Sequence, residues 1–167
     1  KSQAIACANA FKNGSATFGQ KIDTVISIFV SRVDRAIDTE LEKKSISTSL
    51  AGIYNSADIY NEIESMQVQG CRALFASTGV KDDTLPAHYY IEGLLAFNSV
   101  NTAPVNTIMA YFKNGSKIKA LPITSEVIEK HFEKIKNAGI DLDTVLDKQI
   151  KDGLDAFKDA FKDILEA

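Results

Sequence analysis

Eight residues, Thr24–Ser31 (TVISIFVS), constrain the fold more than any other stretch. They are almost continuously apolar, rich in β-branched side chains, and lack the alternation of a strand with one wet face. Such a run reads as a strand covered on both sides, as in a parallel sheet flanked by helices. The period then changes. Val33, Ala36, Ile37 and Leu41 recur at helical spacing, with Asp34 and Asp38 in the early turns, where the helix dipole favours acids. Ile53, Ala57, Tyr60 and Ile63 form another helical stripe, ending before Gly70. Cys71–Ala76 reads as a second buried strand, a short helical pattern surrounds Ile91, Leu94 and Leu95, and SVNTAP (Ser99–Pro104) is a weaker third strand. Strands and helices at these intervals imply an α/β fold with right-handed crossovers.

The remaining segments are helical. Ala4, Ile5, Cys7, Ala8 and Phe11 make an opening helix with Asn13-Gly14 as its expected left-handed stop. AFKNGS and YFKNGS share a hexapeptide, but their flanks differ, so two helices using the same stop are expected rather than a repeat. After the connector LPITSEV, Thr124 or Ser125 can cap a helix lined by Val127, Ile128, His131, Phe132 and Ile135 and ended by Gly139. From Leu142 onward, apolar residues at spacings of three and four run to Leu165, a long amphipathic tail helix in which Gly153 is expected to permit close packing. Three strands make a poor complete sheet, and the chain opens inside a helical pattern without a methionine. A fragment of a longer protein is therefore expected, with residues 1–115 and 116–167 belonging to one incomplete domain.

Composition narrows the function. The 167 residues carry a formal charge of −3, so no sequence-wide basic field draws nucleic acid or anionic lipid. No apolar run approaches the roughly 20 residues of a membrane span, and the opening residues lack a signal-peptide pattern. Cys7 and Cys71 form no metal or redox spacing, and they read as small core hydrophobes in a reduced, cytoplasmic setting.

In parallel α/β folds, function collects at the C-terminal ends of strands. There the sequence offers Ser27 and Phe29, then Ser31-Arg32; Ser77 and Thr78, then Gly79 and Lys81; and finally Asn101 and Thr102. A guanidinium, an ammonium and several hydroxyls on one rim are what a small phosphate requires. Plainer readings compete: Arg32 could pair with Asp34 or Asp38, Lys81-Asp82-Asp83 could be a solvated loop, and Ser77-Thr78-Gly79 could be turn chemistry. No Walker-type loop is present, so a nucleotide is not expected. His88 and His131 lack partners at ligand spacing, so neither a metal nor another cofactor is expected; His131 reads as structural. No nucleophile elbow appears, and no strand end carries a carboxylate or an in-strand lysine. The sequence gives a binding rim without an evident catalytic engine.

VISIFVSRVDRAID, ALFASTGVKDD, TLPAHYYIEGLLAFNSVNTAP and AGIDLDTVLDKQIKDGLDAFKDAF, in this order, resemble the C-terminal part of bacterial transaldolases of the longer subgroup. The resemblance covers essentially the whole chain. It implies the C-terminal portion of a TIM (β/α)8 barrel, about strands six to eight with their flanking helices, plus a long C-terminal helix. It also implies transfer of a dihydroxyacetone unit between sugar phosphates: sedoheptulose 7-phosphate and glyceraldehyde 3-phosphate give erythrose 4-phosphate and fructose 6-phosphate. In the family a strand-borne lysine forms the Schiff base, whose iminium serves as electron sink without a metal. That lysine and the proton-transfer acids are expected upstream of Lys1, since Lys1, Lys12 and Lys21 fall on helix or loop.

Carried across, Arg32 matches the arginine that grips the substrate phosphate. Ser27 and Phe29 face the reaction centre, and Ser77 closes the next strand. Lys81 is a phosphate ligand only if its turn folds the ammonium inward. Thr102 lines the pocket. The implied partners are sugar phosphates and an N-terminal segment of the same barrel; a homodimer is left open. Two rivals stand: a non-catalytic sugar-phosphate-binding or interaction fragment, and a fructose-6-phosphate aldolase, against which the long extension after Pro122 argues.

Overall fold

The structure, a computed structural model, describes residues 1–19, 22–81 and 84–166. Helix α1 (Ser2–Phe18) precedes strand β1 (Thr24–Phe29), helices α2 (Ser31–Lys43) and α3 (Ala51–Ser65), and strand β2 (Cys71–Ala76). Helix α4 (Tyr89–Gly93), strand β3 (Ser99–Asn101) and helices α5 (Val105–Asn114), α6 (Ser125–Asn137) and α7 (Leu142–Glu166) complete the order. The three strands form one parallel sheet in the order β1-β2-β3. In register, Val25 lies beside Arg72, Ile28 beside Phe75, and Phe75 beside Asn101. The α/β class and all three strands agree with the sequence reading.

Parallel strands need long crossovers, and here helices supply both the connection and the cover. Ile26, Ile28, Ala73 and Phe75 alternate onto one face, where they pack with Ala8 of α1 and with Ile53, Ala57, Tyr60 and Ile63 of α3. Phe75 is fully buried at the centre. Gly70 makes the turn into β2 possible. Its φ is +81°, and a Cβ there would lie 2.4 Å from the Ile22 carbonyl oxygen.

The expected cover on both faces of β1 is not found among the described residues. Val25 and Phe29 are exposed, and so is Ser27 between them. The helices that follow and precede β1 lie on one side, so alternate side chains face an open surface. A smaller core joins α2 to α6 and α7: Val33, Ile37 and Leu41 pack with Ile135, and Leu142, Val145 and Leu146 lie against them. Farther along α7, Leu154, Phe157 and Phe161 are exposed.

Three local expectations change. Helix α1 runs through Asn13-Gly14 and stops at Gly19 (φ +70°), because a lone glycine weakens a helix without ending it. α5 does end at Asn114-Gly115, but Gly115 is extended rather than left-handed. A Cβ at Gly153 would meet nothing within 4 Å, so that glycine serves no close packing among the described residues. Two readings hold better. Thr124 occupies the N-cap of α6, although only its carbonyl, not its hydroxyl, bonds the first turn. Gly139 (φ +80°) ends α6, with Ile140 N–H returning to Ile135 O as in a Schellman stop. Cys71 is buried as expected, but Cys7 is exposed.

Candidate functional site

The strand ends are stitched together by short polar contacts. Val30 N–H donates to Ala76 O (2.9 Å) and Ser31 N–H to Ser77 O (3.1 Å), while the Ser31 and Ser77 hydroxyls lie 3.1 Å apart. One strand further, the Thr78 hydroxyl donates to Thr102 O at 2.6 Å and Thr102 N–H donates to Phe75 O at 2.9 Å. Ser77 takes the left-handed conformation (φ 57°). A non-glycine residue there is strained by about 1 kcal/mol or more. The positive φ of this turn falls on Ser77 and not on Gly79. The reason for glycine at 79 is proximity: a Cβ would stand 3.3 Å from Pro104 Cγ.

Arg32 sits in the first turn of α2, and its guanidinium lies 4.4 Å from the centre of the Phe29 ring. Stacking on an aromatic face orients the guanidinium while leaving its edge donors available. The competing reading of an Arg32–Asp34 ion pair finds no such contact among the described residues: Asp34 accepts from Gly52 N–H and the Tyr90 hydroxyl, and Asp38 accepts from Ser49 N–H and Oγ. A groove of about 640 Å³ runs along β1, lined by Val25, Ser27, Phe29 and Arg32 and walled by Gln149 and Phe157 of α7. The Gln149 side-chain amide donates to the Arg32 carbonyl.

The structure thus brings Ser27, Phe29 and Arg32 onto one groove and couples Ser77 to its edge through Ser31. Thr102 lies farther along the rim, exposed, with its hydroxyl 3.4 Å from Phe75 O. Lys81 is exposed, and no hydrogen bond or ion pair among the described residues joins it to the others. Its neighbours Asp82 and Asp83, like Lys21, lie outside the described residues.

Asn101, which sequence reading placed on the rim, belongs to the helix-facing side beside Phe75, where both amide atoms are buried without a partner. Arg72 instead shares the open face, beside Val25 at the strand end remote from the rim. Apart from Arg72 that face is uncharged: Val25, Ser27, Phe29, Leu74, Ala76 and Val100. It offers anion-binding groups but neither a general base nor a nucleophilic amine.

His131 packs edge-on against Tyr54 at 4.8 Å, and burial depresses its basicity, as suits a structural histidine. His88 Nε2 lies 3.3 Å from Glu92 within one helical turn, not on the groove. No group of three potential metal ligands occurs among the described residues.

Behind the rim lies a polar centre that the sequence motifs do not single out. Asp34 is fully buried, accepts from Gly52 N–H (2.8 Å) and from the Tyr90 hydroxyl (2.8 Å), and burial raises its carboxyl to about 6. A signal existed. Val30, Val33, Ile37 and Leu41 are the buried stripe of this turn and helix, and position 34 falls on it.

With this geometry in hand, comparison with known proteins is direct. The model of the transaldolase/fructose-6-phosphate aldolase family matches residues 1–167. A transaldolase from Helicobacter pylori (strain Shi470) is 39% identical over 143 residues, covering 86% of this chain and 45% of the relative. A transaldolase from Campylobacter jejuni subsp. jejuni serotype O:23/36 (strain 81-176) is 41% identical over 143 residues, covering 86% and 42%. The chain belongs to the transaldolase/fructose-6-phosphate aldolase family. It spans under half the length of these curated relatives.

Proposed function

We propose that this chain is the phosphate-gripping part of a transaldolase. The observation carrying the reading is Arg32, held over Phe29 at the end of a parallel strand and opening onto the groove that contains Ser27. Family membership supports the reaction class: a dihydroxyacetone unit passes from sedoheptulose 7-phosphate to glyceraldehyde 3-phosphate, leaving erythrose 4-phosphate and giving fructose 6-phosphate. In this reading the open sheet face is part of the interior of a (β/α)8 barrel. Residues 1–115 supply three of its strands, residues 116–167 pack on the same barrel, and a preceding segment completes it. Closure would remove the sheet edges and cover the apolar face that parallel strands ordinarily bury.

The residues here then have separable tasks. The Arg32 guanidinium binds two phosphate oxygens, its plane fixed by Phe29 and its backbone by Gln149. The Ser77 and Ser31 hydroxyls contribute donors at the edge, and Lys81 adds a positive charge from the following loop. Ser27 hydrogen-bonds the bound sugar, with Thr102 on the far wall. The Schiff-base lysine and the proton-transfer acids stand on strands before Lys1, so the chain by itself is inactive. The assembled enzyme works in the cytoplasm.

The test is steady-state kinetics of the complete protein with fructose 6-phosphate as donor. Arg32→Ala loses a charge-assisted bidentate contact and should raise KM about 10- to 100-fold. An unchanged KM contradicts the assignment, and absence of transaldolase activity in the complete wild-type protein contradicts the reaction class.

A further inference from the structure

We propose that Asp34 is a positioning residue for the phosphate grip: its carboxylate ties the turn carrying Ser31 and Arg32 to the first turn of α3 and to Tyr90 of α4. The inference rests on the reading of Arg32 as a phosphate ligand.

Three features of the structure converge on this role. First, the first turn of α2 is held from two sides. On the sheet side Ser31 binds Ser77 through backbone and hydroxyl; on the helix side Asp34, two residues beyond Arg32, binds Gly52. Second, the approach on the helix side is unusually close. A Cβ on residue 52 would stand 2.5 Å from Val30 O and 2.8 Å from Asp34 Oδ2, so the position admits only glycine without displacement. Third, the same brace recurs one turn on. Asp38 accepts from Ser49 N–H and Oγ, and Tyr89 OH donates to Ser49 O, so α4 meets both layers through adjacent tyrosines.

A carboxylate is chemically suited to this task and costly to keep there. Two donors, a backbone N–H and a phenolic O–H, point at one side chain, and only a carboxylate accepts from both with charge-assisted strength. Asparagine offers one acceptor oxygen and turns an NH2 group toward the second donor. Burying a charge with neutral partners alone gives little net stability, so fixing the Arg32 turn is the property gained. Asp34 does not touch substrate in this scheme. It acts through the backbone of residues 30–34.

The titratable groups facing Asp34 are Asp38 on its own helix and Tyr90 and Tyr89 on α4; α3 presents the Ala51 and Gly52 amides. All the side chains are acids; burial raises both tyrosines away from neutrality and raises the Asp34 carboxyl to about 6.

The experiment compares wild type, Asp34→Asn, Tyr90→Phe and Arg32→Ala of the complete protein, measuring KM and kcat for fructose 6-phosphate and the inhibition constant for inorganic phosphate. Thermal melts of the same samples report folding. At pH 7.5, Asp34→Asn should raise both constants about fivefold, the equivalent of one weakened charge-assisted bond. The effect should fall on KM rather than kcat, with Tyr90→Phe in the same direction. The substrate phosphate also titrates near pH 6, so the readout is the ratio of mutant to wild-type KM. That ratio should fall toward one at pH 5, where the wild-type carboxyl is protonated.

A lowered melting temperature with unchanged KM in both Asp34→Asn and Tyr90→Phe makes the network structural only and overturns the inference. Should Asp34→Asn fail to fold, Tyr90→Phe, which keeps the carboxylate, decides alone. If Arg32→Ala raises KM and neither network variant does, the inference falls while the phosphate reading stands. If Arg32→Ala has no effect, both fall.

Discussion

Gly52→Ala is a substitution whose sign depends on one close approach. In an unhindered helix, alanine is favoured over glycine by at most about 1 kcal/mol. At position 52 the new Cβ would lie 2.5 Å from Val30 O, where real contacts stay beyond 3.0 Å, so α3 must withdraw by at least the 0.5 Å difference. That stretches the 2.8 Å bond from Gly52 N–H to Asp34 to roughly 3.3 Å, where it is weak. A buried carboxylate that loses a donor costs about 1–3 kcal/mol, and parting two packed helices costs on the order of 1 kcal/mol more. Set against the alanine gain of up to about 1 kcal/mol, the net expectation is a loss of about 1–3 kcal/mol. Gly14→Ala is the internal control, since it also lies within a helix but a Cβ there meets nothing within 4 Å. It should stabilise by about 0.5–1 kcal/mol. Urea unfolding of the purified protein followed by circular dichroism reads both. If Gly52→Ala proves neutral or stabilising, the helices do not meet as described.

Other changes probe separate parts of the same architecture. Phe75→Ala empties the centre of the sheet–helix core and should cost about 3–5 kcal/mol by denaturant midpoint. Thr78→Val removes the 2.6 Å bond to Thr102 O, and hydrogen exchange at the β2–β3 end should quicken, with a loss of about 1–2 kcal/mol. Stability should also follow the Asp34 carboxyl. Its folded value of about 6 exceeds the ordinary 3.8, so the folded state binds a proton more tightly than the unfolded chain. Wild type should therefore gain stability relative to Asp34→Asn as pH falls from 7 to 4, by about 2 kcal/mol. A constant difference across that range would refute the burial of an ionised Asp34.

The sheet was legible because its signals are local and strong. The β-branched run at Thr24–Ser31 and the short apolar run at Cys71–Ala76 leave little choice, and Arg32, Phe29 and Ser27 follow once strand ends are read as the active edge. What stayed hidden depends on contacts distant in sequence. Continuous apolarity could not say that one face of β1 stays open within this chain, since that depends on where the covering helices lie. Asn101 looked like a rim residue until the register set it beside Phe75. The Asn13-Gly14 stop failed because a lone glycine weakens a helix without ending it, and α1, anchored through Ala8 before the signal, runs on to Phe18. Asp34 was read as a helix-dipole acid, and only its place on the buried stripe hinted that it would become the hub joining three helices.

The most direct test of the phosphate-grip and divided-site reading is borohydride reduction of the complete protein in the presence of fructose 6-phosphate, with the trapped lysine located by peptide mass mapping. The expected result is one dihydroxyacetone adduct on a lysine outside Lys1–Ala167, formed at lower donor concentrations in wild type than in Arg32→Ala. An adduct on a lysine within these residues, no adduct at all, or identical concentration dependence in the two proteins would contradict it.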